Sequence, residues 1–292
     1  MLKDVFREAY RRMPLKQPLF EAMRRLKAPS ENVYKHLHFH GVFETRVAGR
    51  SFKMNHHGFE IENSLFWSGV DGGWERVSLG LWQTLCTRAK VIFDIGANTG
   101  IYAVIAKTLN PAAQVHAFEP VHRVCDRLRG NAELNDYDIT CVEAAVSDRD
   151  GPAVIYDPGG EHVLSVTVNK DMSPPGVVTT AQPITCVRLD TYIEENRLPP
   201  PDLMKIDVET HEFEVLNGLG EYLAAARPTM LIEILNDEVG ENVESLVSDL
   251  GYLYFNIDER KPKPTRVPHV TKSDFYNYLL CSEAEARLYG LV

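Results

Sequence analysis

An α/β fold is the one this sequence predicts, a doubly wound, mostly parallel sheet with helices on both faces. Three observations predict it. From residue 74 onward, short apolar runs alternate with segments of helical period, the order that builds parallel sheets. Val91–Glu119 reads VIFDIGANTGIYAVIAKTLNPAAQVHAFE, which is strand, glycine turn, helix, second strand and acid. The composition, with 44% hydrophobic and 25% charged residues over 292 positions, is that of an ordinary globule.

Taken in order, residues 1–30 differ from the rest of the chain. They hold eight Lys/Arg against three acids, a net +5 on a chain of net −10, so the remainder carries −15. Leu2, Val5, Phe6, Ala9, Tyr10 and Met13 keep the helical period, and Leu19, Ala22, Met23 and Leu26 repeat it after Pro14 and Pro18. A helical pair docked on the acidic body is expected, with a membrane-surface contact as the alternative. Residues 33–66 predict short strands, Val33–Phe43, Glu44–Val47, Ser51–Met54 and Gly58–Ile61, with Ala48-Gly49-Arg50 as a hairpin turn. His36, His38 and His40 would then share one strand face near His56-His57. A polar, exposed face is expected there rather than a metal site, since no Cys or carboxylate stands at an obvious ligand spacing. Residues 1–73 are thus an N-terminal extension, a cap or a homodimer contact, ahead of a main domain over 74–292.

The main domain opens with a helix over Trp74–Thr87 after a glycine-rich loop, Ser68–Gly73. Val91-Ile92-Phe93 is an apolar run closed by Asp94, the pattern of a strand buried on both faces. Ile101–Leu109 is its helix, stopped by Asn110-Pro111, and Val115–Phe118 the next strand. Val121–Leu134 reads as helix, Thr140–Val146 as strand, and Leu189–Asn196 as a short helix. Leu203–Ile206 is a strand followed by a helix over Glu212–Leu223. Thr229–Leu235, Tyr252–Ile257 and Tyr278–Cys281 complete the strands, with a helix over Glu241–Leu250 and a loop over Lys261–Pro268. Residues 151–187 do not read as helix. Pro158-Gly159-Gly160 and Pro174-Pro175-Gly176 break strand-like pieces such as Val163–Val168, so this insertion is a candidate substrate flap.

The glycine turn says which ligand is expected. A dinucleotide fingerprint has a second glycine where this chain has Asn98; its glycines are Gly96 and Gly100, and Glu119 lies 23 positions after Gly96. Pyrophosphate needs bare backbone at a helix N-terminus, and a ligand without phosphate does not. Asp-x-Gly-x-Asn-x-Gly suits a ligand bringing an ammonium and a carboxylate to the turn, with Glu119 accepting hydrogen bonds from a ribose diol. S-adenosylmethionine fits that description.

The sequence resembles the FkbM-type S-adenosylmethionine-dependent methyltransferases. The matching pieces are Asp94-Ile-Gly-Ala-Asn-Thr-Gly100, Phe118-Glu119-Pro120, Ala144-Ala-Val-Ser-Asp148, Met204-Lys-Ile-Asp-Val-Glu209 and Leu231-Ile-Glu-Ile234, in order over roughly 74–281. The resemblance implies a seven-stranded sheet with its last strand antiparallel. It implies cofactor contacts from Glu75, Asp94, Gly96, Asn98, Thr99, Gly100, Glu119, Pro120 and, near the adenine, Ala145, Val146 and Ser147. Glu75 would approach the cofactor's amino group, or else serve only as an acid at a helix N-terminus. The residues after Asp207-Val-Glu209 are usually Gly-Ala-Glu in this family, whereas this chain has Thr210-His211-Glu212.

Asp207, Glu209 and His211 are the candidate catalytic residues, three groups able to move a proton after one strand. His211 is the expected general base, with Glu209, Asp207 or a divalent metal held by them as alternatives. The acceptor implied by the resemblance is a hydroxyl of a sugar, glycan or glycosylated natural product. A net charge of −10 argues against nucleic acid as a partner. No stretch approaches the roughly 20 apolar residues of a membrane span. Five cysteines without a C-x-x-C pair read as buried thiols, and the cytoplasm is the expected compartment. An NAD-dependent oxidoreductase or epimerase is disfavoured by Asn98 and by the absence of a Tyr-x-x-x-Lys pair. A non-catalytic scaffold is disfavoured by the Asp207–His211 set.

Overall fold

Two antiparallel strands, Gly41–Val47 (β1) and Arg50–His56 (β2), join around the expected turn at Ala48-Gly49. They belong to a computed structural model that describes residues 15–157 and 179–292. The hairpin lies against the main domain. Arg50 Nη1 donates to the carbonyls of Thr108 and Leu109 at 3.0 Å each, and Asn135 clips both sides of the Lys53 peptide at 2.7 and 2.8 Å.

The surroundings of the hairpin depart from expectation. Glu31–Tyr34 is helical, residues 35–40 lie outside any helix or strand, and of Gly58–Ile61 the last two residues open a helix over Glu60–Ser68. His36, His38 and His40 therefore share no strand face. Aromatic residues read as strand formers here serve a packing cluster instead: Phe20 lies 5.5 Å from Trp67 and 6.4 Å from Phe39 between ring centroids. Of the expected helical pair, residues 2–13 lie outside the described residues, and the helix Lys16–Leu26 packs on the extension itself, by another face than the expected stripe. Phe20 is buried and Arg24 donates to the Phe66 and Glu44 carbonyls at 2.9 and 3.0 Å, while Leu19 and Leu26 are exposed.

His56 lies inside this layer. Its Nδ1 accepts the Gly58 N–H at 3.0 Å and its Nε2 faces Asn63 Oδ1 at 3.2 Å, while Asn63 Nδ2 donates to the Tyr34 carbonyl at 2.9 Å. That pattern assigns a neutral ring with its proton on Nε2. Burial pushes the imidazole down from 6.5 to about 4. Below pH 6.5 the unfolded ring takes up a proton that the folded ring refuses, so the folded state loses ground as pH falls from about 6.5 to about 4. The loss expected is about 3 kcal/mol. It is read from thermal unfolding as the difference between wild type and His56→Gln. Parallel pH profiles for the two proteins would contradict it.

The main sheet is built from Val91–Ile95 (β3), Gln114–Phe118 (β4), Ile139–Val142 (β5), Leu203–Ile206 (β9), Thr229–Glu233 (β10), Tyr252–Asn256 (β11), Thr265–Val267 (β12) and Asn277–Ser282 (β13). Its order is β12-β11-β13-β10-β9-β3-β4-β5. The pairs from β5 through β10 are parallel, and β13 runs antiparallel to both β10 and β11. The seven strands expected are present. An eighth, β12, pairs with the edge of β11 where a proline-rich loop was expected, and it forms over the proline-free stretch Thr265–Val267. Burial covers both faces: every residue of β3 and β9 is buried, and two apolar clusters lie on opposite sides.

Two further elements differ from the sequence reading. The strand expected over Thr140–Val146 breaks after Val142, and Ala145–Val146 (β6) leaves the main sheet. It pairs with Thr180–Val187 (β8), which forms a hairpin with Gly151–Asp157 (β7). The helix expected over Glu212–Leu223 is two, Glu212–Gly218 and Glu221–Ala226, separated at Gly220 with φ 59°. The centre of the candidate flap, including Val163–Val168, lies outside the described residues. All five cysteines are free thiols; Cys86, Cys125, Cys186 and Cys281 are buried and Cys141 is half-buried. Among the described residues no helix is long and apolar enough to cross a membrane.

Candidate active site

β3 delivers Asp94 and then the turn Gly96–Gly100. Asp94 is 1% exposed, and its Oδ2 accepts the Ala103 N–H at 3.0 Å. Burial pushes the Asp94 carboxyl up to about 7, against the opposing pull of Lys205 and of that N–H. Gly96 has φ 76°, and a Cβ on it would lie 1.8 Å from the Asp207 carbonyl oxygen. Only glycine lets the turn meet the end of β9 this closely. Asn98 is left-handed at φ 49°, a conformation asparagine tolerates, so a second glycine is not needed there.

Glu119, beyond the end of β4, holds the same turn. Its Oε2 accepts the Asn98 N–H at 3.1 Å and its Oε1 the Val121 N–H at 2.9 Å. Burial raises its carboxyl to about 7, with those two N–H groups opposing. A carboxylate has lone pairs beyond these two bonds, and Glu119 lines the cavity beside Pro120, Ala144, Ala145 and Val146.

The other end of the cavity is rich in charge. Lys205, on β9 and 1% exposed, places Nζ 3.2 Å from Asp207 Oδ2 and 5.3 Å from the centre of the Tyr102 ring. Burial alone would depress its ammonium; the charges of Asp207, Glu75 and Glu233 more than offset that and hold it above the ordinary lysine value. Glu75 precedes the helix Arg76–Cys86 in a left-handed conformation. It accepts from the Tyr102 hydroxyl at 2.5 Å and from Asn277 Nδ2 at 2.8 Å, and burial raises its pKa. Glu233 closes β10 next to this group, and burial followed by the charge of Asp207 pushes its carboxyl well up.

Beyond Asp207 the backbone turns through two left-handed residues, Glu209 at φ 53° and Thr210 at φ 77°. Thr210 is β-branched, and holding such a residue at positive φ stores strain of about 1–3 kcal/mol. The turn holds Glu209 against the cavity, where burial first and then the charges of Asp207 and Glu212 raise its carboxyl to about 8. His211 is next along the chain and also lines the cavity. Its Nε2 lies 3.0 Å from Ser147 Oγ and its Nδ1 3.4 Å from Glu214 Oε2. Both ring nitrogens therefore face protein groups.

One cavity of about 320 Å³ joins the two ends, within the range of small-molecule sites. Glu75, Asp94, Gly96, Asn98, Thr99, Glu119, Pro120, Ala145, Val146, Asp207, Glu209 and His211 all line it. Two expected residues do not. Gly100 caps the helix Ile101–Leu109 under Leu128, and Ser147 turns from the cavity to His211. Sequence reasoning missed Lys205, Tyr102, Glu233, Trp74, Glu60 and Ile61 as lining residues. The signal for Lys205 and Glu233 was a charge inside an otherwise apolar strand. Glu60 and Ile61 were hidden by the expectation of strand there.

The Methyltransferase FkbM domain model matches residues 94–254, more than half of the chain. The chain belongs to the FkbM methyltransferase family. The match begins at Asp94, so Glu60, Ile61, Trp74 and Glu75 enter the cavity from outside the family's matched span. The hexuronic acid methyltransferase AglP of Haloferax volcanii is 28% identical over 159 residues, 54% of this chain and 62% of that protein. The 31-O-demethyl-FK506 methyltransferase FkbM of Streptomyces tacrolimicus is 31% identical over 153 residues, 44% of this chain and 59% of that one. The 2-O-methyltransferase NoeI of Sinorhizobium fredii is 33% identical over 147 residues, with coverages of 47% and 60%. The chain thus spans roughly three fifths of the length of each of these FkbM-type relatives. The expectation of an FkbM-type methyltransferase with an α/β sheet wound on both faces is met, and S-adenosylmethionine is the cofactor consistent with it.

Proposed function

We propose that this protein is an S-adenosylmethionine-dependent O-methyltransferase acting on a hydroxyl of a sugar, glycan or glycosylated natural product. The observation that carries the reading is the single cavity joining the Glu119 end to the Asp207–Glu209 end. The residues present fit the cofactor. Glu119 has lone pairs for a ribose diol, Ala145 and Val146 offer an apolar wall to an adenine, and the acids around Lys205 favour a cation. When bound, the cofactor supplies a methyl group on a positively charged sulfur. The chain's own part is to orient the acceptor hydroxyl, exclude water and take the hydroxyl proton.

Asp207, Glu209 and His211 are the proton-handling set in this proposal. Glu209 is favoured as base because its carboxyl is poised near neutrality, whereas the imidazole of His211 faces Ser147 and Glu214. The sugar acceptor is supported by the activities for which relatives are named, a hexuronic acid and a 2-O position. In this proposal the insertion over 151–187 of the main domain 74–292, which includes β7 and β8, serves as the substrate flap. A cytoplasmic location is supported by five free thiols, and the acidic charge favours a small acceptor over nucleic acid.

Calorimetry tests the cofactor assignment. S-adenosylhomocysteine should bind and NAD should not. Glu119→Ala should weaken the binding by about 1.5–3 kcal/mol, the scale of hydrogen bonds lost to a charged group. NAD binding, or full affinity in Glu119→Ala, would remove the assignment.

A further inference from the structure

The first 73 residues do more than cover the sheet. Glu62, on the helix Glu60–Ser68, is 1% exposed and lies inside the protein against the cofactor turn. Its Oε1 accepts the Thr99 hydroxyl at 2.9 Å. Its Oε2 has no hydrogen-bond partner among the described residues. Burial raises its pKa, and in either protonation state Oε1 can accept from Thr99. The backbone of Thr99 is held from the same side. Asn131 Nδ2 donates to the Thr99 carbonyl at 2.8 Å, and Asn131 Oδ1 accepts from the Asn55 N–H at 2.8 Å and from Asn55 Nδ2 at 3.1 Å. Asn55 is in β2, so both routes lead from the turn into the N-terminal extension. On the helix that carries Glu62, Glu60 and Ile61 line the cavity itself.

A buried carboxylate with one oxygen unmatched is a poor choice for stability alone, because its desolvation is not repaid. Its neighbour is the residue between left-handed Asn98 and left-handed Gly100, in the turn whose Gly96, Ala97, Asn98 and Thr99 line the cavity. We propose that Glu62 is a positioning residue. It fixes Thr99, and with it the Gly96–Gly100 turn, so that the N-terminal extension is a working part of the cofactor site. This rests on the cofactor reading above only for the identity of the ligand; the fixing of the turn is a property of the free protein.

Four variants test it: Glu62→Leu, Glu62→Gln, Thr99→Val and the Glu62→Leu/Thr99→Val double. Three quantities are read, namely S-adenosylhomocysteine affinity by calorimetry, amide exchange across 96–100 without ligand, and Tm. Glu62→Leu should weaken the ligand about tenfold, the scale of one hydrogen bond to an ionisable group. It should speed exchange in the turn and leave Tm at or above wild type. Glu62→Gln, which keeps an acceptor for Thr99, should behave as wild type. The double variant should be no worse than the worse single one. Wild-type exchange and affinity in Glu62→Leu would overturn the proposal. So would losses in Glu62→Leu and Glu62→Gln alike that track an equal fall in Tm. If the wild type fails to bind S-adenosylhomocysteine, the cofactor reading falls and the exchange comparison alone decides the role of Glu62.

Discussion

Glu209→Gln is expected to lower kcat by about 10²–10⁴-fold, the usual worth of a positioned base, with S-adenosylhomocysteine affinity unchanged. The amide keeps the size and the left-handed turn of Glu209 but cannot take a proton. Glu209 lines the cavity, and burial with the nearby charges of Asp207 and Glu212 raises its carboxyl to about 8. A base of that strength deprotonates an alcohol in step with attack on the methyl better than an ordinary carboxylate does, and it still ionises near neutral pH. That fixes the sign of the pH dependence. The rate should rise with pH as Glu209 loses its proton and level off above about 8. His211→Ala should cost far less, because its ring sits between Ser147 and Glu214 and acts on the turn. Equal rates for wild type and Glu209→Gln, with a dead Asp207→Asn, would transfer the role to Asp207. A dead His211→Ala with the pH profile gone would restore the imidazole as base. Loss of activity on chelation would bring in a metal held by the carboxylates.

The sheet was legible because its strands are short, apolar and buried on both faces. Val91–Ile95 and Leu203–Ile206 carry no alternation that could be misread, and the Ile101–Leu109 helix is bounded by Gly100 and Asn110. The cofactor end was legible for a related reason: its chemistry is concentrated in consecutive residues around one glycine turn. The N-terminal extension was not. Val33–Phe43 is rich in β-branched and aromatic residues, yet Tyr34 and Phe39 are drawn into a tertiary aromatic cluster with Trp67, Phe20 and Phe66, which overrides local strand preference. The apolar stripe Leu19–Leu26 misled in the same way, since Phe20 outweighed it for the core. The acceptor end was legible only along one strand. Asp207, Glu209 and His211 are neighbours in sequence, whereas Glu75, Lys205 and Glu233 meet them from the residue before a helix and from two strands. No spacing rule links those three positions.

Lys205→Met is the substitution expected to disturb the protein most widely. Among the described residues that line the cavity, Lys205 is the only lysine or arginine, set among Glu75, Asp207 and Glu233. Removing one partner of a fully buried ion pair costs about 3–5 kcal/mol; the Asp207 side chain is 30% exposed, so the cost here should fall below that range. Methionine fills much the same volume, so a packing void contributes little. The deficit should depend on pH. Without the ammonium, the carboxyls of Glu75 and Glu233 rise further above their unfolded values. A group whose folded pKa is raised favours the folded state while it is protonated and costs stability once pH climbs past its unfolded value. The loss relative to wild type should therefore be small near pH 5 and largest above pH 8. Adding Asp207→Asn, which removes the carboxylate 3.2 Å from Nζ, should recover part of it. Chemical denaturation of wild type, the single variant and the double variant across that range measures all three terms. If the single variant matched wild type at pH 8, the Lys205 ammonium would not be what holds these acids together. A deficit that did not vary with pH would instead locate the loss in packing around the Tyr102 ring.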